Sequence, residues 1–94
     1  MSTEVVDDRL RSRWEARVDG DLAGVAAYER SEGVITFTHT VVADAFEGQG
    51  IGSALARTAL DDARAEGLAV VPRCPFIAGW IEHHPDYADL VRDA

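Results

Sequence analysis

The chain has 94 residues, a formal net charge of −8 and an ordinary apolar content of 47%, enough for one hydrophobic core and too little for two. The acidic balance, with no basic stripe, argues against general nucleic-acid binding and against docking on an anionic membrane surface. No apolar run approaches the ~20 residues of a membrane span, and Met1-Ser2-Thr3-Glu4 lacks the basic and apolar segments of a secretory leader, so a soluble cytoplasmic protein is expected. The one cysteine, Cys74, excludes an internal disulfide.

Residues 1–10 carry little pattern and are expected to fray. From Arg11 the chain alternates, with Trp14, Ala16 and Val18 on one face and Arg13, Glu15, Arg17 and Asp19 on the other, the period of a half-buried strand. Asp19-Gly20-Asp21 signals a hairpin turn. A second strand is predicted from about Leu22 to Arg30. Ser31-Glu32-Gly33 then leads into a third, Val34 to Val42, rich in β-branched residues. The helix-like run from Ser53 to Glu66 puts Ile51, Leu55, Ala59 and Ala63 in one row, with Ala56 and Leu60 beside it. Gly67 stands where a left-handed C-terminal cap belongs. Leu68 to Pro72 reads as a short strand reached by a helical crossover. Cys74 to Val91 reads as one or two helices, started by Pro75 and interrupted near His83-His84 by Pro85. The expected fold is one α+β domain in the order β-β-β-α-β-α, an antiparallel meander continuing into a mixed sheet.

Between the third strand and the helix lies Glu47-Gly48-Gln49-Gly50-Ile51-Gly52. Alternate glycines leave the backbone free to curl and its N–H groups unshielded, and the helix adds its own unpaired N–H groups and dipole. That suits a phosphate. The spacing fits neither a Walker loop, since no Lys-Ser/Thr pair follows, nor a dinucleotide fingerprint. By itself it fits a ligand-free turn equally well.

Val42 followed by Glu47, Gly50 and Gly52 resembles motif A of the GNAT N-acetyltransferases, which runs Arg/Gln-x-x-Gly-x-Gly/Ala between a strand and a helix. Three features in order resemble the very small YjdJ-type branch of that superfamily. They are His39-Thr40-Val41-Val42, the Gly48–Gly52 loop, and Pro72-Arg73-Cys74-Pro75-Phe76 followed by His84-Pro85-Asp86-Tyr87. The likeness spans Trp14 to Val91. It implies an acetyl-CoA-binding N-acetyltransferase, with acetyl-CoA as co-substrate and an amine of an unidentified acceptor as partner. Carried over residue by residue, the loop at Gly48, Gln49, Gly50, Ile51, Gly52 and Ser53 would hold the cofactor's pyrophosphate. The main chain at Thr40, Val41 and Val42 would meet the acetyl group and pantetheine arm. Arg57 and Arg73 are available to the CoA phosphates. Glu47 departs from motif A by placing a carboxylate beside a pyrophosphate, unless its side chain turns away.

Transfer would proceed by direct attack of the amine on the thioester or through Cys74. Cys74 precedes a predicted helix start and follows Arg73, surroundings that favour a thiolate; it also suits a small packing residue. By alternation His39 shares a strand face with Phe37 and Val41, either as a general base or as a hydrogen-bonded core histidine. Trp80 falls where relatives carry tyrosine and cannot protonate a thiolate. Tyr87 is expected to pack, and Tyr28 shows no partner. His83 and His84 project about 100° apart on a helix, unsuited to sharing a metal. The rival reading is a non-catalytic CoA or acyl-CoA-binding module, favoured by Glu47, Trp80 and the lack of a clear acid–base pair.

Overall fold

Asp19 and Gly20 both adopt positive φ, 50° and 90°, as a two-residue type I′ hairpin demands. They join β2 (Arg13–Val18) to β3 (Asp21–Ser31), and a second tight turn at Gly33 leads into β4 (Val34–Val42). The computed structural model describes residues 2–92 and continues this meander into a five-stranded sheet of order β1-β2-β3-β4-β5.

The meander has one strand more than the sequence predicts. Thr3–Asp8, expected to fray, forms β1, antiparallel to β2 with Val5 opposite Ala16 and Asp7 opposite Trp14. Val5 packs against the core, and Asp7 accepts a 2.6 Å hydrogen bond from the Tyr28 hydroxyl. A carboxylate at an inward position hides the apolar alternation, so the strand emits no period-two signal. The same bond gives Tyr28 its partner. Burial, then the adjacent Asp7 carboxylate, pushes its phenol up to about 12.

The helix α1 (Ile51–Ala65) buries the row that the sequence assigns to it, from Ile51 and Leu55 to Leu60 and Ala63. It crosses β3 closely: a Cβ on Gly24 would lie 2.9 Å from the Val41 carbonyl oxygen and 3.0 Å from Ile51 Cγ2. Gly67, at φ 70°, ends it. The N–H groups of Gly67 and Leu68 donate to the carbonyls of Arg64 and Ala63 at 3.1 and 2.8 Å, a Schellman cap. The crossover returns as β5 (Ala69–Pro72), parallel to β4. Cys74 then caps α2 (Pro75–Glu82), with Pro75 at its first position. Beyond His83-His84, Pro85–Leu90 is a 3-10 helix rather than a second α-helix, and Val91 bridges Val70 on the outer edge of β5. Both α-helices and the inward side chains of the sheet share one core. The opposite face of β2, β3 and β4 carries Arg13, Glu15, Arg17, Val25 and Val41 and adds nothing to that core.

A bulge in β4 sets up the site. Ala27 pairs with His39 but Tyr28 with Phe37, so Thr38 is an extra residue. Before the bulge Ile35 and Phe37 are buried; beyond it Thr40 and Val42 are half-buried, while His39 and Val41 face solvent. This corrects the face assigned to His39. One inserted residue inverts the alternation, and the histidine leaves the face of Phe37. The bulge also marks where β4 and β5 part. Their pairing runs from Val34–Ala69 to Phe37–Pro72, and the Cys74 N–H closes it on the Phe37 carbonyl at 2.9 Å. From Thr38 onward β4 has no strand on that side among the described residues.

Candidate functional site

The chain leaves β4 through a 3-10 turn, Asp44–Phe46, and reaches α1 through Gly48 and Gly50, at φ 81° and 77°. Left-handed backbone at both positions curls the loop over the helix start, a conformation only glycine adopts without strain. Part of the loop's hydrogen bonding is internal: Glu47 donates to Asp44 at 3.3 Å, Gln49 to Phe46 at 3.4 Å, and Ala54 to Gly50 at 3.0 Å. The N–H groups of Gly48, Gly50, Ile51, Gly52 and Ser53 have no acceptor among the described residues, and no side chain caps the helix. Of the amides assigned to a pyrophosphate, that of Gln49 is therefore turned back into the loop and the other five are open. They border a cavity of about 250 Å³ whose wall includes Val42, Phe46, Glu47 and Phe76. Glu47 thus stands at this cavity, exposed on its rim.

Phe76 is the wall that the sequence leaves unassigned. Its ring rests on Gly52, where a Cβ would fall 2.6 Å from Phe76 Cζ. Gly52 is needed less for its φ than for this contact. The spacing of the motif shows the glycine; only the fold shows the ring that requires it. Ser53 is engaged at its hydroxyl, which accepts a 3.1 Å hydrogen bond from the Trp80 indole N–H. Trp80 is buried, stacks on His84 at 3.7 Å and lies under the Arg57 guanidinium, 5.3 Å from the ring centroid. Tyr87 packs against Trp80, as expected, and donates to Asp61 at 2.7 Å.

Where β4 and β5 part, Cys74 is 2% exposed, and its sulfur lies 3.3 Å from the Thr40 hydroxyl. That hydroxyl is the thiol's polar partner among the described side chains. The Arg73 side chain is exposed and, among the described residues, bonds neither to the thiol nor to a carboxylate. His39 faces solvent and touches the Thr38 hydroxyl at 3.4 Å. The structure therefore joins Thr40 to Cys74 and keeps His39 apart from both. Six of the nine arginines form ion pairs; Arg57, Arg73 and Arg92 do not, among the described residues. Of these three, Arg57 lies on α1 over the Trp80 ring, and Arg73 immediately precedes Cys74.

Residues 13–90 match the family model described as GCN5-related N-acetyl-transferase. The chain is 34% identical over 87 residues to Protein NATD1 of Xenopus tropicalis, covering 89% of this chain and 79% of that protein. Protein NATD1 of Homo sapiens is 34% identical over 84 residues, with 86% and 74% covered. A GCN5-like protein of Staphylococcus aureus, solved by NMR, superposes with a TM-score of 0.73 over 97% of this chain and 89% of that one, at 22% identity. The ribosomal-protein-alanine N-acetyltransferase of Brucella melitensis gives 0.57 over 87% and 63%, at 25% identity. Curled glycine loop, parted strands and matching family together lead to one conclusion: this chain belongs to the GCN5-related N-acetyltransferase family.

Proposed function

We propose that the protein binds acetyl-CoA and transfers its acetyl group to an amine. The observation that carries the reading is the set of five open amides at Gly48, Gly50, Ile51, Gly52 and Ser53 beside a strand whose outer edge is free from Thr38 to Val42. A diphosphate fits the cradle on charge and geometry, since hydrogen bonds to an anion contribute about 1.5–3 kcal/mol each and helix N-termini favour negative charge. The free edge of β4 then offers main-chain donors to a thioester carbonyl lying toward Cys74. Acetyl-CoA supplies the activated acyl group.

The chain's own residues bind, orient and polarise. Backbone N–H groups of Thr40 and Val42, which strand alternation turns to the free edge while Val41 pairs with Val25 of β3, stabilise charge on the carbonyl oxygen as an amine nitrogen attacks the carbonyl carbon and the C–S bond breaks. The departing thiolate takes up a proton, and the amine gives one up to solvent or to a base of the acceptor complex. Direct attack is favoured over transfer through Cys74, because the thiol is buried beside a hydroxyl with no base in hydrogen-bond reach among the described residues. The uncovered face of β2, β3 and β4, next to this edge, leaves room for an acceptor as large as a protein. The soluble, cytoplasmic setting expected from composition belongs to the same proposal.

One observation favours a second reading, a non-catalytic CoA-binding module: no acid–base pair converges on Thr40 and Cys74 among the described side chains. Release of free CoA from acetyl-CoA with a panel of amines and basic peptides separates the two. The proposal expects turnover that Gly50→Val abolishes and Cys74→Ser retains. Tight binding with no acceptor-dependent CoA release leaves the module. Loss of turnover in a folded Cys74→Ser protein, with an acetyl adduct on the wild type, restores the thiol route.

A further inference from the structure

Two cavities meet at Phe76. One is the cradle; the other, about 450 Å³, lies along α2 and is lined by Ser53, Phe76, Gly79, Trp80, His83 and His84 among others. They share Ser53 and Phe76. Among the described residues no carboxylate lines the second cavity, although the chain carries 17 acidic residues. Its surface is ordered by the indole of Trp80, tied to Ser53 at 3.1 Å and parallel to the His84 ring within 12°. His83 and His84 sit within hydrogen-bond reach of the carbonyls four residues back, Nδ1 lying 2.9 Å from Gly79 O and 2.7 Å from Trp80 O. A carbonyl accepts, so Nδ1 carries the proton, and each Nε2 is left without a protein partner among the described residues. Positive charge is favoured at this end of a helix.

We infer that this second cavity takes a phosphate monoester on the nucleoside end of the ligand, with His83 and His84 as its cationic partners and Arg57 at its edge. The inference rests on the reading that the cradle holds the diphosphate of acetyl-CoA. CoA carries such a monoester on its ribose, and Ser53 and Phe76 stand at the boundary between the two phosphate sites. The ligand then lies with its thioester toward Cys74, before the first residue of α2, and its terminal phosphate toward His84, beyond the last. With Nδ1 on a carbonyl, Nε2 is the atom through which each ring donates to the phosphate, which it does when the ring carries both protons. Among the described residues, the other charged and titratable groups around the pair are Arg57, Asp61 and Arg64 on α1, Glu82 on α2, and Asp86 and Tyr87 in the following turn.

Calorimetric titration with acetyl-CoA and with its 3′-dephospho form tests this. The wild type is expected to prefer acetyl-CoA by about tenfold or more, as hydrogen bonds between charged partners imply. The preference should grow as the pH is lowered. The double variant His83→Gln, His84→Gln should bring the two affinities together by weakening acetyl-CoA alone. Equal binding of both ligands by the wild type, or a double variant that keeps the preference, overturns the inference and leaves the cradle reading standing. Binding of neither ligand overturns both. Should the double variant fail to fold, the pH series on the wild type and Arg57→Gln at the exposed edge decide it. A preference that is flat with pH and unmoved by Arg57→Gln contradicts the proposal.

Discussion

The two ends of α1 are built on opposite rules. At the C-terminal end the polar groups have partners: the Schellman bonds use the last carbonyls, Arg64 grips Asp89 at 2.9 and 2.8 Å and the Asp86 carbonyl at 2.8 Å, and Glu66 receives both Arg9 and Arg30. At the N-terminal end, among the described residues, five amides stay open, no side chain caps the helix, and Arg57 pairs with no acid. Open helix ends are ordinarily closed by a capping residue worth about 1 kcal/mol. On the proposed reading, this one is left open beside a cavity so that a ligand can take those donors. One end holds the fold together; the other is where we propose that the ligand binds.

Substitutions at the two ends should therefore separate binding from stability. Gly52→Val drives a side chain into the Phe76 ring, already 2.6 Å from a Cβ. Affinity for acetyl-CoA should fall about 100-fold or more, roughly 2.7 kcal/mol, while the melting temperature changes far less than a core truncation would demand. Gly67→Ala places a side chain at φ 70° and should destabilise by about 1 kcal/mol, lowering Tm by about 4–8 °C. Its affinity for acetyl-CoA, measured below that Tm, should stay at the wild-type value. A Gly67 variant that loses binding as sharply as the Gly52 variant would erase the distinction between the ends.

Tyr28→Phe bears on the strand that completes the closed end. It removes the 2.6 Å bond to Asp7, worth about 0.5–1.5 kcal/mol. Hydrogen exchange should quicken in Thr3–Asp8 well before the rest of the sheet. Uniform quickening across all five strands would show that β1 is not held by this bond in particular.

Why β1 escapes a reading of the sequence and the glycine loop does not is a matter of where the information lies. Gly20, Gly67, Pro75 and Pro85 act on their own backbone, and each turn or cap falls where the residue type puts it. The strand at Thr3–Asp8 depends on Asp7 meeting a tyrosine 21 residues away. The face of His39 depends on a bulge that exists only once β4 has paired with β3. The same division runs through the site. The left-handed glycines and the helix start are local, so the cradle is legible; Phe76 on Gly52, Trp80 on Ser53 and Thr40 on Cys74 are contacts across the fold. Alternation places His39 beside Phe37, and pairing moves it away.

The smallest expected effect concerns the acids near the closed end. Burial, then Glu66, holds the Asp62 carboxyl up at about 6, while Asp62, then Arg30, holds Glu66 down at about 2. A raised carboxyl stabilises the fold where it is protonated, and that contribution is lost as pH rises from 3.8 through about 6. The lowered Glu66 contributes above its ordinary value and loses that contribution as pH falls from 4.5 toward about 2. Tm of the wild type should therefore decline modestly as pH rises from 4.5 through about 6, and Asp62→Asn should remove that decline. An unchanged decline in the variant would place its origin elsewhere. Acetyl-CoA binding should not distinguish the two proteins.

The claim at the centre of this account is that the open amides of the glycine loop are the ligand's seat. Titrating the ¹⁵N-labelled protein with acetyl-CoA and following its backbone amides tests this most directly. The account predicts that the largest shifts fall on Gly48, Gly50, Ile51, Gly52 and Ser53, with Gln49 moving less because its N–H is already bonded to Phe46. Shifts confined to the opposite face of the sheet, or none at millimolar ligand, would contradict it.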